Sequence, residues 1–270
     1  MIIRPLGYKE DPPDPRDVMY GAGASVGVTS LPNAFSLLHL LAAVGPLWQT
    51  TSESCVIQVA ATCCRIVWED RYGMGKATPV PSRRAAYYIA RATVGEQHEN
   101  VGTYPRLSFP ALNKAGWTTE DILPFDEDKI LDPLPAHVYR TMVDQENMLQ
   151  YKRIVDGGSG VEEIKHSIAA SKRPVGVALP VVGSFDSYTN GIFNPKGDAA
   201  ARGWHYCTII GYDDDLQAFL CSNSWQGHGI QEAGLSLFWI SYESVSNVCK
   251  DKYVLFPSKL PSHLNQNQGL

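Results

Sequence analysis

Between Ser52 and about Tyr72 the apolar residues fall on two adjacent helical stripes. Val56, Val59, Ala60, Cys63 and Val67 make one, and Ile57, Ala61, Cys64 and Trp68 the next. A helix that is apolar nearly all round has no face left for water, so it must be enclosed by the rest of the chain. Ser52 and Ser54 are suitable N-caps and Gly73 a suitable stop. With 270 residues, the chain is long enough for one large domain or two lobes around such a helix. Further helices are expected over 82–91, 107–115 and 161–171. Beyond Pro174 the character changes to short apolar runs separated by Gly, Asp and Asn turns, at 175–179, 205–211, 219–222, 235–240 and 253–256. Helices first and strands last predict an α+β protein with a helical lobe (about 31–150) and a sheet lobe (about 151–258).

Residues 1–30 are rich in Pro, Gly and Asp and read as an extended arm punctuated by turns. Gly21 and Gly23 do not make a dinucleotide fingerprint, since no strand precedes them and Pro32 follows. The stretch 123–135 reads as a Pro-broken connector, and 259–270 as a disordered tail. Net charge is −5, with no clustering of Lys and Arg, so no nucleic-acid partner is expected. No run is long and apolar enough to span a bilayer, so no membrane partner is expected either. The N-terminus lacks a charged segment followed by an apolar core, which points to the cytoplasm or another reducing compartment, a virion, or export by a non-classical route. The positions of the six cysteines argue against disulfides; Cys63, Cys64, Cys207, Cys221 and Cys249 read as buried free thiols, and no Cys/His cluster has zinc spacing. Asp213, Asp214 and Asp215 lack the spaced loop of a calcium site and read as a solvated turn. No metal or cofactor is expected.

One set of residues carries chemistry. Gln49 stands six positions before Cys55, and far downstream come His205, opening an apolar run, and Asn223 in Asn223-Ser224-Trp225. Cys55 falls in the first turn of the enclosed helix, where the positive end of the helix dipole favours a thiolate. A cysteine nucleophile needs a base, a group that orients the base and a donor for the developing oxyanion; these residue types supply all of them.

In this order and spacing the chain resembles the papain-like cysteine peptidases. Gln49 and Cys55, Tyr104-Pro105 leading into 107–112, Leu123-Pro124-Phe125, the run 174–179, 205–212 and Asn223-Ser224-Trp225 carry the resemblance, which covers roughly 31–258. The arm is similar to segments that precede the core in bacterial and viral members, and no long inhibitory propeptide is expected. The resemblance implies a two-lobe fold, helical on the left and β-barrel-like on the right, with the active-site cleft between. It implies a thiol hydrolase: an endopeptidase acting on polypeptide through an acyl-enzyme. Cys55 would be the nucleophile and His205 its partner in a thiolate–imidazolium pair. Asn223 would orient the ring, Trp225 would cover that bond, and Gln49 with the Cys55 N–H would form the oxyanion hole. Substrate-binding roles fall on Glu53, Gly102, Thr103, Ala178, Trp204 and Trp225, with Gly102-Thr103 as the edge that pairs with substrate backbone and Ala178 as a wall of the pocket for the second substrate side chain.

The chain departs from the family pattern at several places, Val56 in place of the usual aromatic among them. Glu53 stands where many members have Gly, a carboxylate able to crowd the cleft, to favour Lys or Arg before the cut, or to raise the Cys55 pKa. Gln226 replaces a Gly, and His228-Gly229 an aromatic-glycine pair. Trp204 and Tyr206, bulky on both sides of His205, are expected to narrow the cleft. His228, like His39, His98, His137, His166 and His263, shows no partner pattern. These departures leave open a catalytically attenuated binding or structural protein, and nothing in the sequence separates hydrolysis from an acyl-enzyme that transfers to amines or cuts isopeptide bonds.

Overall fold

A computed structural model describes residues 4–21, 30–143 and 149–259. The arm residues 22–29 and all of the expected tail except Lys259 lie outside the described residues. Lys259 itself is tied down, its carbonyl accepting the Trp68 indole N–H at 3.0 Å.

In chain order the elements are β1 (Ala34–Ser36), α1 (Leu38–Val44), α2 (Cys55–Tyr72), α3 (Arg83–Ala92), α4 (Pro105–Ala115), α5 (Ala136–Val143), β2 (Leu149–Arg153) and α6 (Gly158–Ala169). Then follow β3 (Val175–Pro180), α7 (Gly183–Asp186), β4 (Ile192–Phe193), β5 (Trp204–Asp213), β6 (Ala218–Asn223), β7 (Ile230–Glu232), β8 (Leu235–Ser241), α8 (Tyr242–Asn247) and β9 (Lys250–Pro257). The strands form one sheet, in the order β2-β9-β3-β5-β6-β8-β4, with β1 against β5 and β7 against β8. All pairings are antiparallel except β4 with β8.

Helix α2 is enclosed as its two stripes require, with every residue from Cys55 to Trp68 buried. Gly73 ends it in the left-handed conformation, φ 60°. Several of its polar groups find partners inside, although Arg65 Nε does not. Gln58 donates to Ser54 Oγ at 2.9 Å and accepts from Arg83 Nη1 at 2.9 Å, and Arg65 donates to Gly45 O at 2.9 Å. Ile66 joins the apolar core of the sheet lobe, whereas Cys55, Val56, Cys63 and Trp68 join the core of the helical lobe with Tyr87 and Phe109. The helix is therefore the partition between the lobes, and its N-terminus opens where they meet.

The chain does not pass cleanly from one lobe to the other. β1 pairs with β5, placing Phe35 opposite Tyr212, and Leu40, Leu41 and Val44 of α1 enter the sheet-lobe core. β2 pairs with β9 along its whole length. The segment 34–44, which the order of elements assigns to the helical lobe, is thus part of the sheet lobe. The Pro-broken connector also ends in a helix that its composition does not announce, α5, which buries Val138 and Met142 against Leu123 and Ala85.

Helix α3 props the edge that faces the cleft. Ser82 caps it, accepting from Ala85 N–H at 3.2 Å. Tyr87 Oη lies 2.8 Å from Val101 O and 3.0 Å from Asn100 Oδ1. Arg91, fully buried, donates to the carbonyls of Tyr87, Glu99 and Ile130, and its guanidinium lies 3.7 Å from the Tyr87 ring centre. Replacing Arg91 by Leu leaves two loop carbonyls without a donor and removes the stacked cation. We expect a loss of about 2–4 kcal/mol, read from the urea midpoint at unchanged slope.

Candidate active site

Cys55 is the first residue of α2, with Ser54 at the N-cap. The backbone N–H groups of Tyr206, Val56 and Cys55 itself bear on its sulfur, which sets Cys55 against β5 at the residue that follows His205. The antiparallel register of β5 and β6, with Thr208 opposite Ser222, brings Asn223 to the His205 end of the pair. His205 Nε2 and Asn223 Oδ1 are 2.8 Å apart, and the Trp225 ring stacks on His205 at 4.1 Å with its plane 20° from parallel. Gln49 is fixed on the other side of the cleft. Its backbone N–H donates to Ser224 O at 3.1 Å, and its Oε1 accepts from Ser224 Oγ at 2.6 Å. The structure thus gathers Gln49, Cys55, His205 and Asn223 at the meeting of the lobes, all of them buried.

The protons along this set can be placed by elimination. The Trp225 backbone N–H, which can only donate, faces the same Asn223 atom at 3.2 Å, so that atom is the oxygen. His205 must then donate from Nε2, which leaves Nδ1 of the neutral ring as an acceptor. That Nδ1 is buried and carries no hydrogen bond. On the far side, Asn223 Nδ2 donates to His228 Nδ1 at 2.9 Å. His228 must therefore carry its proton on Nε2, which donates to Phe185 O at 2.6 Å. One carbonyl in α7 thus sets, through His228 and Asn223, which nitrogen of His205 is left free.

The N-terminal arm fills the cleft. Gln49 Nε2 donates to Leu6 O at 3.0 Å, with Pro5 O at 3.3 Å, and to Ser52 O at 2.8 Å. Trp225 Nε1 donates to Pro5 O at 2.8 Å. Further along, Thr103 N donates to Gly7 O and Lys9 N to Thr103 O, each at 3.0 Å, in a parallel pairing of Tyr8 with Thr103. Gly7 is required by this close approach. A Cβ there would lie 2.2 Å from Glu53 O, and its φ of 126° already excludes most side chains. Gly102 packs on the Gly7 backbone and Leu6 lies over Gly203, while Tyr8 joins the cluster containing Ala178 and touches Trp204. All six residues assigned to substrate binding, Glu53, Gly102, Thr103, Ala178, Trp204 and Trp225, therefore border one segment of the chain itself. Gln226 is exposed and does not enter the cleft. Trp204 and Tyr206 hold Tyr8 rather than closing the gap.

Burial shifts the titration of both members of the pair. It pushes the Cys55 thiol up to about 12, and the charge of Glu53 adds to this. It pulls His205 down to about 3 against the Asn223 bond, which favours the charged ring. Both shifts run toward the neutral thiol and the neutral imidazole, because a charge buried in this closed site is poorly solvated. Among the described residues no group of three or more His, Cys, Asp or Glu side chains could hold a metal ion.

A family model described as papain family cysteine protease matches residues 94–251. The chain belongs to that family. A protein of Acanthamoeba polyphaga mimivirus, described as an uncharacterized peptidase C1-like protein, is 25% identical over 248 residues, covering 83% of this chain and 78% of its own. Among solved structures, xylellain, a cysteine protease from Xylella fastidiosa, superposes with a TM-score of 0.76 at 21% identity, covering 96% of this chain and 99% of that one. The bromelain protease from Ananas comosus superposes with a TM-score of 0.62 at 18% identity, covering 85% of this chain and all 100% of that one. These superpositions bear out the two-lobe fold, and the family bears out a papain-like thiol hydrolase.

Two features of the site were not read from the sequence. The arm is a turn-rich segment whose place depends on the groove that receives it. His228 has no spacing that links it to Asn223; its only signal is a histidine standing where the family resemblance expects an aromatic. Replacing His228 by Phe would fill the same space against Phe185 but leave the buried Asn223 amide without an acceptor. The expected cost is about 1–3 kcal/mol in chemical denaturation.

Proposed function

We propose that this papain-family peptidase is an endopeptidase held latent by its own N-terminal arm. The observation that carries the proposal is the Leu6 carbonyl on Gln49 Nε2, the amide that would receive the oxyanion. While the arm is docked, that donor is occupied, and water is kept from Cys55 and His205. Once the arm leaves, a peptide pairs along 102–103 and places its carbonyl at the same amide. The Cys55 thiol gives its proton to the free Nδ1 of His205, and the sulfur attacks the carbonyl carbon. Gln49 Nε2 and the Cys55 N–H stabilise the oxygen, a contribution of about 3–4 kcal/mol per donor in comparable sites. The C–N bond breaks as His205 returns the proton to the leaving amine, and water then attacks the acyl-enzyme through the same base. Asn223, held by Trp225 N–H and His228, keeps the ring facing the sulfur throughout. The buried free cysteines support work in a reducing compartment.

In the full-length chain, Gly7→Val drives a side chain into Glu53 O and so expels the arm without shortening the protein. Labelling of Cys55 by an acyloxymethyl-ketone thiol probe in reducing buffer should rise at least about tenfold over the wild type, and Cys55→Ala should abolish it. No labelling of the Gly7→Val protein at any pH between about 5 and about 8 would remove the peptidase reading.

Docking of the arm should also depend on pH, through Asp11. Burial, and then the charge of Asp251, raise its carboxyl to about 7. Against these, Arg106 N donates to both its oxygens at 3.0 Å and Tyr253 Oη donates at 3.0 Å. The Arg106 guanidinium is engaged by Asp17, Arg153 pairs with Asp251, and Tyr8 donates to Asp251. In a released arm Asp11 is an ordinary carboxylate titrating near about 4. The docked state therefore holds the proton more tightly. The stabilisation of docking linked to it is full below about pH 4 and is lost as the pH rises through about 7. Asp11→Asn fixes the neutral form. The ratio of wild-type to Asp11→Asn labelling rates, in which the thiol's own titration cancels, should rise by severalfold between about pH 5 and about pH 8.

A further inference from the structure

Asn223 joins His205 to His228, and an amide exchanges its oxygen and nitrogen by a half turn of its side chain. Two contacts keep the oxygen on the His205 side. The Trp225 N–H lies 3.2 Å from Oδ1, and His228 Nδ1 lies 2.9 Å from Nδ2. The first involves a backbone donor, whose role does not vary. The second holds only while His228 Nδ1 carries no proton.

The His228 ring is packed as tightly as a core aromatic. It is 1% exposed, lies 4.7 Å from the Phe185 ring and meets Trp225 edge-on at 5.3 Å and 89°. Titratable and charged groups face it from each neighbouring element. Asp186 of α7 is paired with Arg202, which precedes β5, at 2.8 Å. Arg4 of the arm donates to Asp186 O at 3.4 Å. Tyr188, beyond α7, lies 6.1 Å from the ring with its hydroxyl donated to Gly191 O, and His205 approaches from β5. Burial holds His228 below the usual histidine range. The bond to Phe185 O favours the charged ring, Arg4 opposes it until the arm leaves, and Asp186 favours it.

The effect of a proton on His228 Nδ1 follows from the count of donors. Both ring nitrogens then donate, and Nδ1–H faces the Asn223 amide nitrogen, which also donates. A half turn of the amide relieves this clash but sets Nδ2 against two other donors, His205 Nε2–H and the Trp225 N–H. His205 escapes only by moving its proton to Nδ1, the nitrogen that must accept from Cys55. A charge on His228 also opposes a charge on His205. Either way, the imidazolium that accompanies attack by the sulfur loses its support.

Resting on the peptidase reading, we propose that His228 is a positioning residue of the acid–base chain. Neutral, it locks Asn223 with its oxygen on His205; protonated at Nδ1, it releases that lock and shuts off the base. A phenylalanine or tryptophan in its place would pack against Phe185 and Trp225 but could neither hold the amide nor respond to acid.

The full-length Gly7→Val protein serves as the parent. Labelling of Cys55 by the acyloxymethyl-ketone probe is followed against probe concentration from about pH 4 to about pH 7. Near neutral pH, His228→Phe should lower the maximal labelling rate at least about tenfold. The half-saturating probe concentration should stay within about twofold, because His228 is buried behind Asn223 and acts on the base rather than on the probe. His228→Gln restores an acceptor for Asn223 and a donor for Phe185 O without a ring that titrates. It should bring the rate back to within about threefold of the parent. The Gln-to-parent ratio should rise severalfold as the pH falls, since the titration of the Cys55–His205 pair is common to both. A Phe variant as fast as the parent, a Gln variant as slow as the Phe variant, or a ratio that does not change with pH overturns the positioning role and leaves the peptidase reading standing. No labelling of the parent overturns the peptidase reading, and the positioning role with it. Should the Phe variant fail to fold, the ring-nitrogen chemical shifts of isotope-labelled histidine in the wild-type chain decide. His205 and His228 should each carry the proton on Nε2 at neutral pH, and a proton on Nδ1 of either neutral ring overturns the proposal.

Discussion

The side-chain amide of Gln49 joins three parts of the molecule that have no covalent reason to meet. Its oxygen takes the Ser224 hydroxyl of the sheet lobe, and its nitrogen takes Ser52 O at the entry to α2 and Leu6 O of the arm. An amide fully withdrawn from water must place both of its ends, and here each of its polar atoms has a partner. The consequence is geometric. With Oε1 committed to Ser224, the nitrogen can only face the cleft, so the donor is pre-aimed whether an arm or a substrate lies there. The enclosed helix α2 supplies the rigidity behind it, because a helix buried on every side cannot shift without disturbing both cores.

The second constraint is that the acid–base chain has only one consistent set of protons. It starts from a backbone N–H and a backbone carbonyl, groups whose roles do not vary, and passes through two side chains that could otherwise flip. Catalytic sequences are usually read as a nucleophile, a base and an orienting group, and in this chain those three stood out by order and spacing. The fourth member, His228, did not. Its contact with Asn223 arises from a turn after β6 that folds back on α7, and nothing in the spacing of a single histidine reports such a turn. The same holds for Asp251, which lies on a strand where alternation alone would place an ordinary residue.

Legibility in the fold followed the same division between local and non-local causes. Helix α2 could be bounded nearly to the residue because two stripes, a cap and a stop glycine are all local signals. Strands β3, β5, β6 and β8 were visible as apolar runs bounded by turns. Strands β1 and β2 were not, because three residues against the edge of β5, or five against β9, are made into strands by their partners rather than by their own pattern. The arm is the extreme case. Its Pro and Gly residues exclude helix and permit an extended path, but the path is chosen by a groove whose walls come from both lobes.

The arm can block the site without being cut because it occupies the oxyanion donor while leaving the nucleophilic pair unassembled. Leu6 O takes the Gln49 amide, yet His205 Nδ1 has no hydrogen-bond partner, and burial favours the neutral thiol and the neutral ring. Attack needs both a free donor and a developing charge pair, and the docked arm occupies the first while burial disfavours the second. Its tether makes this block effective, since a segment joined to the body competes as an intramolecular ligand at an effective concentration of about millimolar. A free peptide overcomes it only when something weakens the docked state. The places where the arm is vulnerable are visible: the glycine that has no room for a side chain, and the carboxylates of Asp11 and Asp251, which face one another across the latch with only Arg106 and Arg153 to balance them.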